Sequence, residues 1–133
     1  MNACPLRHER LWTLAGLGFV LVVVYLSLTP DPPDAPRLFD LKAGHVVAYA
    51  WLMFWFAQVH VALRTRAFIA LGLCALGVTL ECLQGLTTYR TFAYSDMLDN
   101  TLGVAAGWAL GATRLGGALG AIEVALARRV ASK

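Results

Sequence analysis

Apolar residues fall along this chain in four long runs, at roughly 11–28, 43–63, 67–86 and 96–113, each separated from the next by a more polar stretch. Each run is close to the ~20 residues that carry an α-helix across a ~30 Å hydrocarbon layer. The pattern therefore predicts an all-α chain, a four-transmembrane-helix bundle. The first run has no charged residue and follows Arg7, His8, Glu9 and Arg10. It exceeds a typical signal-peptide apolar region, and no small-x-small site follows in Ser27-Leu28-Thr29-Pro30, so it reads as an uncleaved span.

The connections have characters of their own. Thr29 to Lys42 holds four of the five prolines together with Asp31, Asp34 and Asp40, which ends a helix and favours extended chain. Only Arg64, Thr65 and Arg66 separate the second run from the third, so those two spans form an antiparallel hairpin. Thr87 to Ser95 joins the third to the fourth. The tail, 115–133, places Leu119, Ile122, Leu126 and Val130 on one helical stripe, with Arg128, Arg129 and Lys133 beyond it. That is an amphipathic helix suited to an anionic lipid surface, or equally a frayed continuation of the fourth span.

Composition agrees with this division. Among 133 residues, 59% are hydrophobic and 14% charged, against about 25% charged in an ordinary soluble domain. The length suits one domain, 1–133, integral to a membrane. The net charge of +3 would suggest nucleic acid, but the excess sits at the ends of the apolar runs and is read as topology. The amino end, the 64–66 turn and the carboxyl end carry eight Lys and Arg, the other two connections three, Arg37, Lys42 and Arg90. Both termini are therefore expected in the cytoplasm, with membrane lipids as partners and no nucleic acid. Cys4, Cys74 and Cys82 are too few for a disulfide framework, and the latter two read as core thiols.

The polar residues of the spans gather at one end. Lys42, His45 and Tyr49 enter the second span from the outer side, Glu81 and Gln84 lie near the outer end of the third, Arg90 is in the outer loop, and Asp96 and Asn100 open the fourth. His45 and Tyr49, Glu81 and Gln84, and Asp96 and Asn100 are each three or four residues apart and so share helical faces. A carboxylate at the depth of Glu81 must be paired, wet or protonated. Below Asn100, Gly103, Gly107 and Gly111 recur every fourth residue and leave one side of the helix nearly flat for close packing. Plainer roles compete for several of these. Asp40 and Asp99 read as helix caps, Lys42 and, at the other side, His60 with Arg64 as snorkelling anchors, and Trp51, Phe54, Trp55 and Phe56 as packing or lipid-facing aromatics.

Three functions fit such a set. An outward-facing pocket would bind a polar lipid head group, Lys42 and Arg90 engaging an anion. A membrane enzyme would use His45 as general base with Glu81 or Asp96 as acid or orienting group, without a nucleophile motif and without a compact metal-ligand motif. A structural or partner-binding bundle would use the charges, Glu81 with Arg90 above all, to lock helices together. No cofactor is implied, and a homo-oligomer is compatible with each. Four spans without an internal repeat argue against a transporter.

The ordered series Lys42-x2-His45, Ala48-Tyr49, Gly77-x3-Glu81-x2-Gln84-x5-Arg90-x5-Asp96-x3-Asn100-x2-Gly103-x3-Gly107 resembles the VanZ-like membrane proteins over about the middle half of the chain. That family usually has an acid immediately before the lysine, where this chain has Leu41, with Asp40 one place earlier. Its naming member is associated with reduced susceptibility to the glycopeptide teicoplanin. The resemblance implies a bacterial inner-membrane protein with a cell-envelope connection and no settled reaction.

Overall fold

The computed structural model describes residues 6–30, 41–89 and 92–131, with the side chains of Leu41 and Lys42 excepted. All its regular structure is helical: α1 (Glu9–Leu28), α2 (Leu41–Val59), α3 (Leu63–Gly85), α4 (Tyr94–Gly111), a short 3₁₀ turn (Arg114–Gly117) and α5 (Ala118–Ala131). Two helices, α1 and α3, are long and apolar enough to cross a membrane, and a third span results if α4 and α5, bent by 72° at the 3₁₀ turn, count as one. Their outer faces are apolar: Leu11, Leu14, Leu21, Phe68 and Leu71 are all more than three-fifths exposed. Water would penalise so large a greasy surface, whereas lipid does not.

The innermost helix is α2. Tyr49, Leu52, Met53 and Ala57 on it are essentially inaccessible and form one core with Leu73 of α3 and Val104 of α4. Its principal neighbour is α4, and the glycines explain why. A Cβ on Gly103 would fall 2.5 Å from the Val46 carbonyl oxygen, one on Gly107 would collide with the Ala50 carbonyl oxygen, and one on Gly111 would lie 2.5 Å from Ala57 Cβ. Only hydrogen at these positions lets the two backbones approach so closely. The pairing advances 46, 50, 57 on α2 as it advances 103, 107, 111 on α4, so the two helices run parallel. Along α3 it reverses: Gly77 adjoins Asn100, and Gly85 adjoins Phe92. Helix α1 runs antiparallel to α2, with Trp55 Nε1 donating to the Trp12 carbonyl (2.9 Å) and Gly16 pressed against Trp55 and Phe56. Trp12, Phe19 and Trp51 meet Trp55 or each other at edge and tilted angles, so most of the aromatics pack together.

The structure differs from the sequence pattern in three places. The second helix ends at Val59, and the α2–α3 turn is His60–Ala62, so Arg64 and Arg66 belong to the first turn of α3. The reason is a cap: Arg66 reaches back, Nε donating to the His60 carbonyl (2.7 Å) and Nη2 to that of Ala57, which satisfies carbonyls the ending helix leaves open. His60 is more than a snorkelling anchor, since Nδ1 lies 3.2 Å from Glu9 Oε1 and its ring stacks on Phe56. Arg64 rests over the Phe68 ring. Cys82 is exposed rather than a core thiol, because its predecessor Glu81 turns inward and the helix carries the next residue about 100° away; Cys74 is half-buried at the core edge.

The tail is a separate helix, not a continuation of α4. Leu119 is buried against Trp55, Phe56 and Val59, whereas Ile122, Leu126 and Val130 stay exposed. Its anchor is Glu123, whose carboxylate accepts from the backbone N–H groups of Arg7 (2.7 Å) and His8 (3.0 Å) and from Trp12 Nε1 (2.9 Å). It thereby supplies acceptors at the amino end of α1, which has no side-chain cap of its own. Burial pushes the Glu123 carboxyl up, but the hydrogen bonds from Trp12, Arg7 and His8 outweigh it and hold the group below its ordinary 4.5. A depressed carboxylate stabilises the contact fully above the ordinary value and stops doing so as pH falls through the lowered one. Protection of the α5 amides, relative to the intrinsic exchange rate at each pH, should therefore be flat from neutral pH down to about 4.5 and fall only below it. Glu123→Gln should remove that step; a step persisting unchanged in Glu123→Gln would show that another group holds α5.

Candidate functional site

Three helices converge at the end of the bundle where α3 passes into α4. From α2 come His45 and Tyr49, from α3 Gly77, Glu81 and Gln84, from α4 Asp96 and Asn100. The parallel run of α2 and α4 puts the first turns of both at the same level, and antiparallel α3 brings its last turns up to meet them. Tyr49, Glu81, Gln84 and Asn100 are each at least 97% buried, unusual for so polar a group. Gly77 makes room for it: a Cβ there would lie 3.0 Å from Asn100 Nδ2 and 3.3 Å from the Tyr49 hydroxyl, so those two groups share the space above one glycine.

These residues divide by what their polar atoms do. Glu81 and Gln84 hold chain ends. Glu81 Oε1 accepts from the backbone N–H of Ala93 at 2.6 Å, and Ala93 is the N-cap of α4. In an ordinary capping box the acid three residues into the helix makes that bond, and here Glu81 makes it from the neighbouring helix. A carboxylate there also sits where the α4 dipole is positive. Gln84 Nε2 donates to the Ser27 carbonyl at 2.7 Å, and the Tyr89 hydroxyl donates to that of Leu28, tying the end of α3 to the end of α1.

The rest are held in place but not satisfied. His45 Nδ1, the Tyr49 hydroxyl and Asn100 Oδ1 are buried and have no hydrogen-bond partner among the described residues. Each such atom costs about 1–3 kcal/mol when left unpaired, and native folds contain few of them. Asp96 does not cap its own helix. Since Glu81 already serves the α4 N-cap, Asp96 is released to accept from Ser95 Oγ (3.0 Å) and to face His45, its Oδ2 standing 4.0 Å from Nδ1. That separation is too long for a hydrogen bond and right for one bridging atom.

Of the residues singled out in the sequence, His45, Tyr49, Glu81, Gln84, Asp96 and Asn100 thus come together. Arg90 and Asp40 lie outside the described residues, as does the side chain of Lys42. Asp99 is half-buried on α4 and makes no cap, so the cap role expected of it is replaced by Glu81. Gly77 was read only as part of a spacing; its part in seating Asn100 and Tyr49 depends on a contact between helices that no single-helix pattern displays. Among the described residues no three His, Cys, Asp or Glu side chains form a group able to hold a metal ion. Two cavities of about 730 and 710 Å³ lie at the opposite end, around the 3₁₀ turn and between α1 and α5.

Replacing Glu81 separates its two duties. Glu81→Gln keeps an acceptor for Ala93 and should lose little, whereas Glu81→Leu leaves that N–H buried and alone and should cost about 1–3 kcal/mol of stability. Thermal unfolding in mild detergent measures both; equal losses would mean that charge, not the cap, is what Glu81 contributes. Compared with known proteins, the chain matches no family model, no curated protein and no solved structure.

Proposed function

We propose that this chain is a multi-pass protein of a bacterial inner membrane, four spans with both termini in the cytoplasm, that binds a lipid head group or lipid-linked cell-envelope component at the α2–α3–α4 cluster. The observation that carries the reading is a trio of buried polar atoms without a partner among the described residues, His45 Nδ1, Tyr49 hydroxyl and Asn100 Oδ1, set beside Asp96. Together they offer donors and acceptors at one depth, which is what a polar, hydrogen-bonding head group requires and a purely structural lock does not. Glu81 and Gln84 form the frame that keeps them at that depth.

The four-span topology draws on helix length and direction. At ~1.5 Å per residue α2 and α4, of 19 and 18 residues, are about 27–29 Å long, near the hydrocarbon thickness. The four helices alternate in direction, as successive spans must. The excess of Lys and Arg at the α5 end then turns the polar cluster outward. The series of residues resembling VanZ-like proteins runs through this same cluster, which favours the envelope connection.

A second reading has one observation behind it. The His45 and Asp96 pair stands 4.0 Å apart, so a bound hydroxyl between them could pass a proton to the imidazole, which would make the protein an enzyme acting on the same class of ligand. Tyr49→Phe tests the binding reading directly. Removing a hydroxyl that has no partner should raise the melting temperature of the ligand-free protein by a few degrees while lowering retention of co-purified polar lipid, measured by native mass spectrometry. A destabilised Tyr49→Phe, or one retaining the wild-type lipid, would contradict it. If His45→Gln keeps the lipid but abolishes its turnover, the enzymatic reading gains.

A further inference from the structure

At the far end of the bundle from the polar cluster, the bend between α4 and α5 encloses a cavity of about 730 Å³. Three guanidinium-bearing residues line it, Arg66 of α3, Arg114 of the 3₁₀ turn and Arg128 of α5, and no Asp or Glu does. The nearby acid Glu123 is taken up on the other side of α5 by Arg7, His8 and Trp12. Arg114 and Arg128 have no carboxylate partner among the described residues, and Arg66 is already fixed by its bonds to the α2 carbonyls. Three like charges around one space repel one another, and an anion among them removes that repulsion.

Two further features point into the same space. Gln58 lines the cavity from the last turn of α2 and is 94% buried; its Oε1 accepts from Leu119 N (3.2 Å), and its Nε2 donor has no partner among the described residues. The amino end of α5, fourteen residues long, borders the cavity through Gly117 and Gly120, where the absence of side chains leaves backbone amides near any occupant. Planar guanidinium forks, a carboxamide donor and a helix amino terminus are all anion-directed, and together they match tetrahedral phosphate oxygens rather than a single carboxylate.

We propose that this cavity is a phosphate site, taking either a free phosphate compound or the phosphate of an anionic lipid. It is distinct from the outer polar cluster and does not rest on the function assigned there. Binding would also brace α5 against α2 and α3, since Arg128 and Gln58 approach the ligand from different helices.

The test uses the full chain purified in mild detergent, with two probes: inorganic phosphate, read by thermal shift, and phosphatidylglycerol against diacylglycerol, read by native mass spectrometry. Wild-type protein should bind at least one phosphate-bearing probe, and Arg114→Ala/Arg128→Ala should weaken that binding by about tenfold or more. Both residues are exposed, so far-UV circular dichroism should be unchanged in that variant. Arg7→Ala/Arg10→Ala, which removes two charges from the same end but outside this cavity, should bind as the wild type does. Binding of phosphate itself marks a free phosphate compound as sufficient; binding of phosphatidylglycerol alone marks a lipid head group. Failure of both probes to bind the wild type, or equal weakening in the two double variants, overturns the proposal.

Discussion

The close parallel contact of α2 with α4 determines most of what this molecule is. Carbonyl oxygens of Val46 and Ala50 lie where side chains on Gly103 and Gly107 would otherwise stand, so the contact is backbone against backbone and has almost no slack. In lipid there is no hydrophobic gain from pressing two apolar helices together, and close van der Waals approach is what remains to hold them. Because the contact is parallel, it also fixes register: the first turns of α2 and α4 arrive at the same level, and the groups they carry meet. A methyl group at Gly107 would have to push the helices apart and would carry His45 and Asp96 with them.

The polar end of the bundle then follows from a displacement of roles. Helix α4 begins with Asp96 three residues after its N-cap, where a capping acid is expected, yet Glu81 from α3 makes the capping bond instead. That exchange solves the problem of a buried carboxylate by giving it an N–H and a helix dipole. It also frees Asp96 to face His45. The buried atoms of His45, Tyr49 and Asn100 that have no partner among the described residues are costly, and a fold that gathers three of them within a few helical turns places that cost where a ligand would relieve it.

Much of this could be read from the residues alone. Apolar run lengths place α1 within two residues of its observed ends, and the four-residue glycine period marks the packing face of α4. Helical spacing also selects the six residues that converge. What the pattern could not supply was tertiary. The α2–α3 turn lies four residues earlier than the Arg-Thr-Arg break suggests, because Arg66 folds back as a cap on α2, an interaction between elements rather than within one. Glu81 was expected to pair with Arg90, which lies outside the described residues; its partner within them is a backbone amide, that of Ala93. The tail departs from α4 at 72° because Glu123 and Leu119 have specific seats on α1 and α2, which periodicity in the tail cannot show.

The register of α2 on α4 is the claim on which the cluster depends, and a disulfide reports it most directly. With Cys4, Cys74 and Cys82 replaced by serine, cysteines at Ala57 and Gly111 should join within one chain on mild oxidation of native membranes, since a Cβ on Gly111 would stand 2.5 Å from that of Ala57 and a parting of the two helices by about 1 Å brings the pair to disulfide distance. A Val46→Cys/Gly111→Cys pair, at opposite ends of the contact, should stay reduced. If the 57 and 111 pair remains reduced, or links only between separate chains, the two helices do not meet as described and the polar cluster does not assemble.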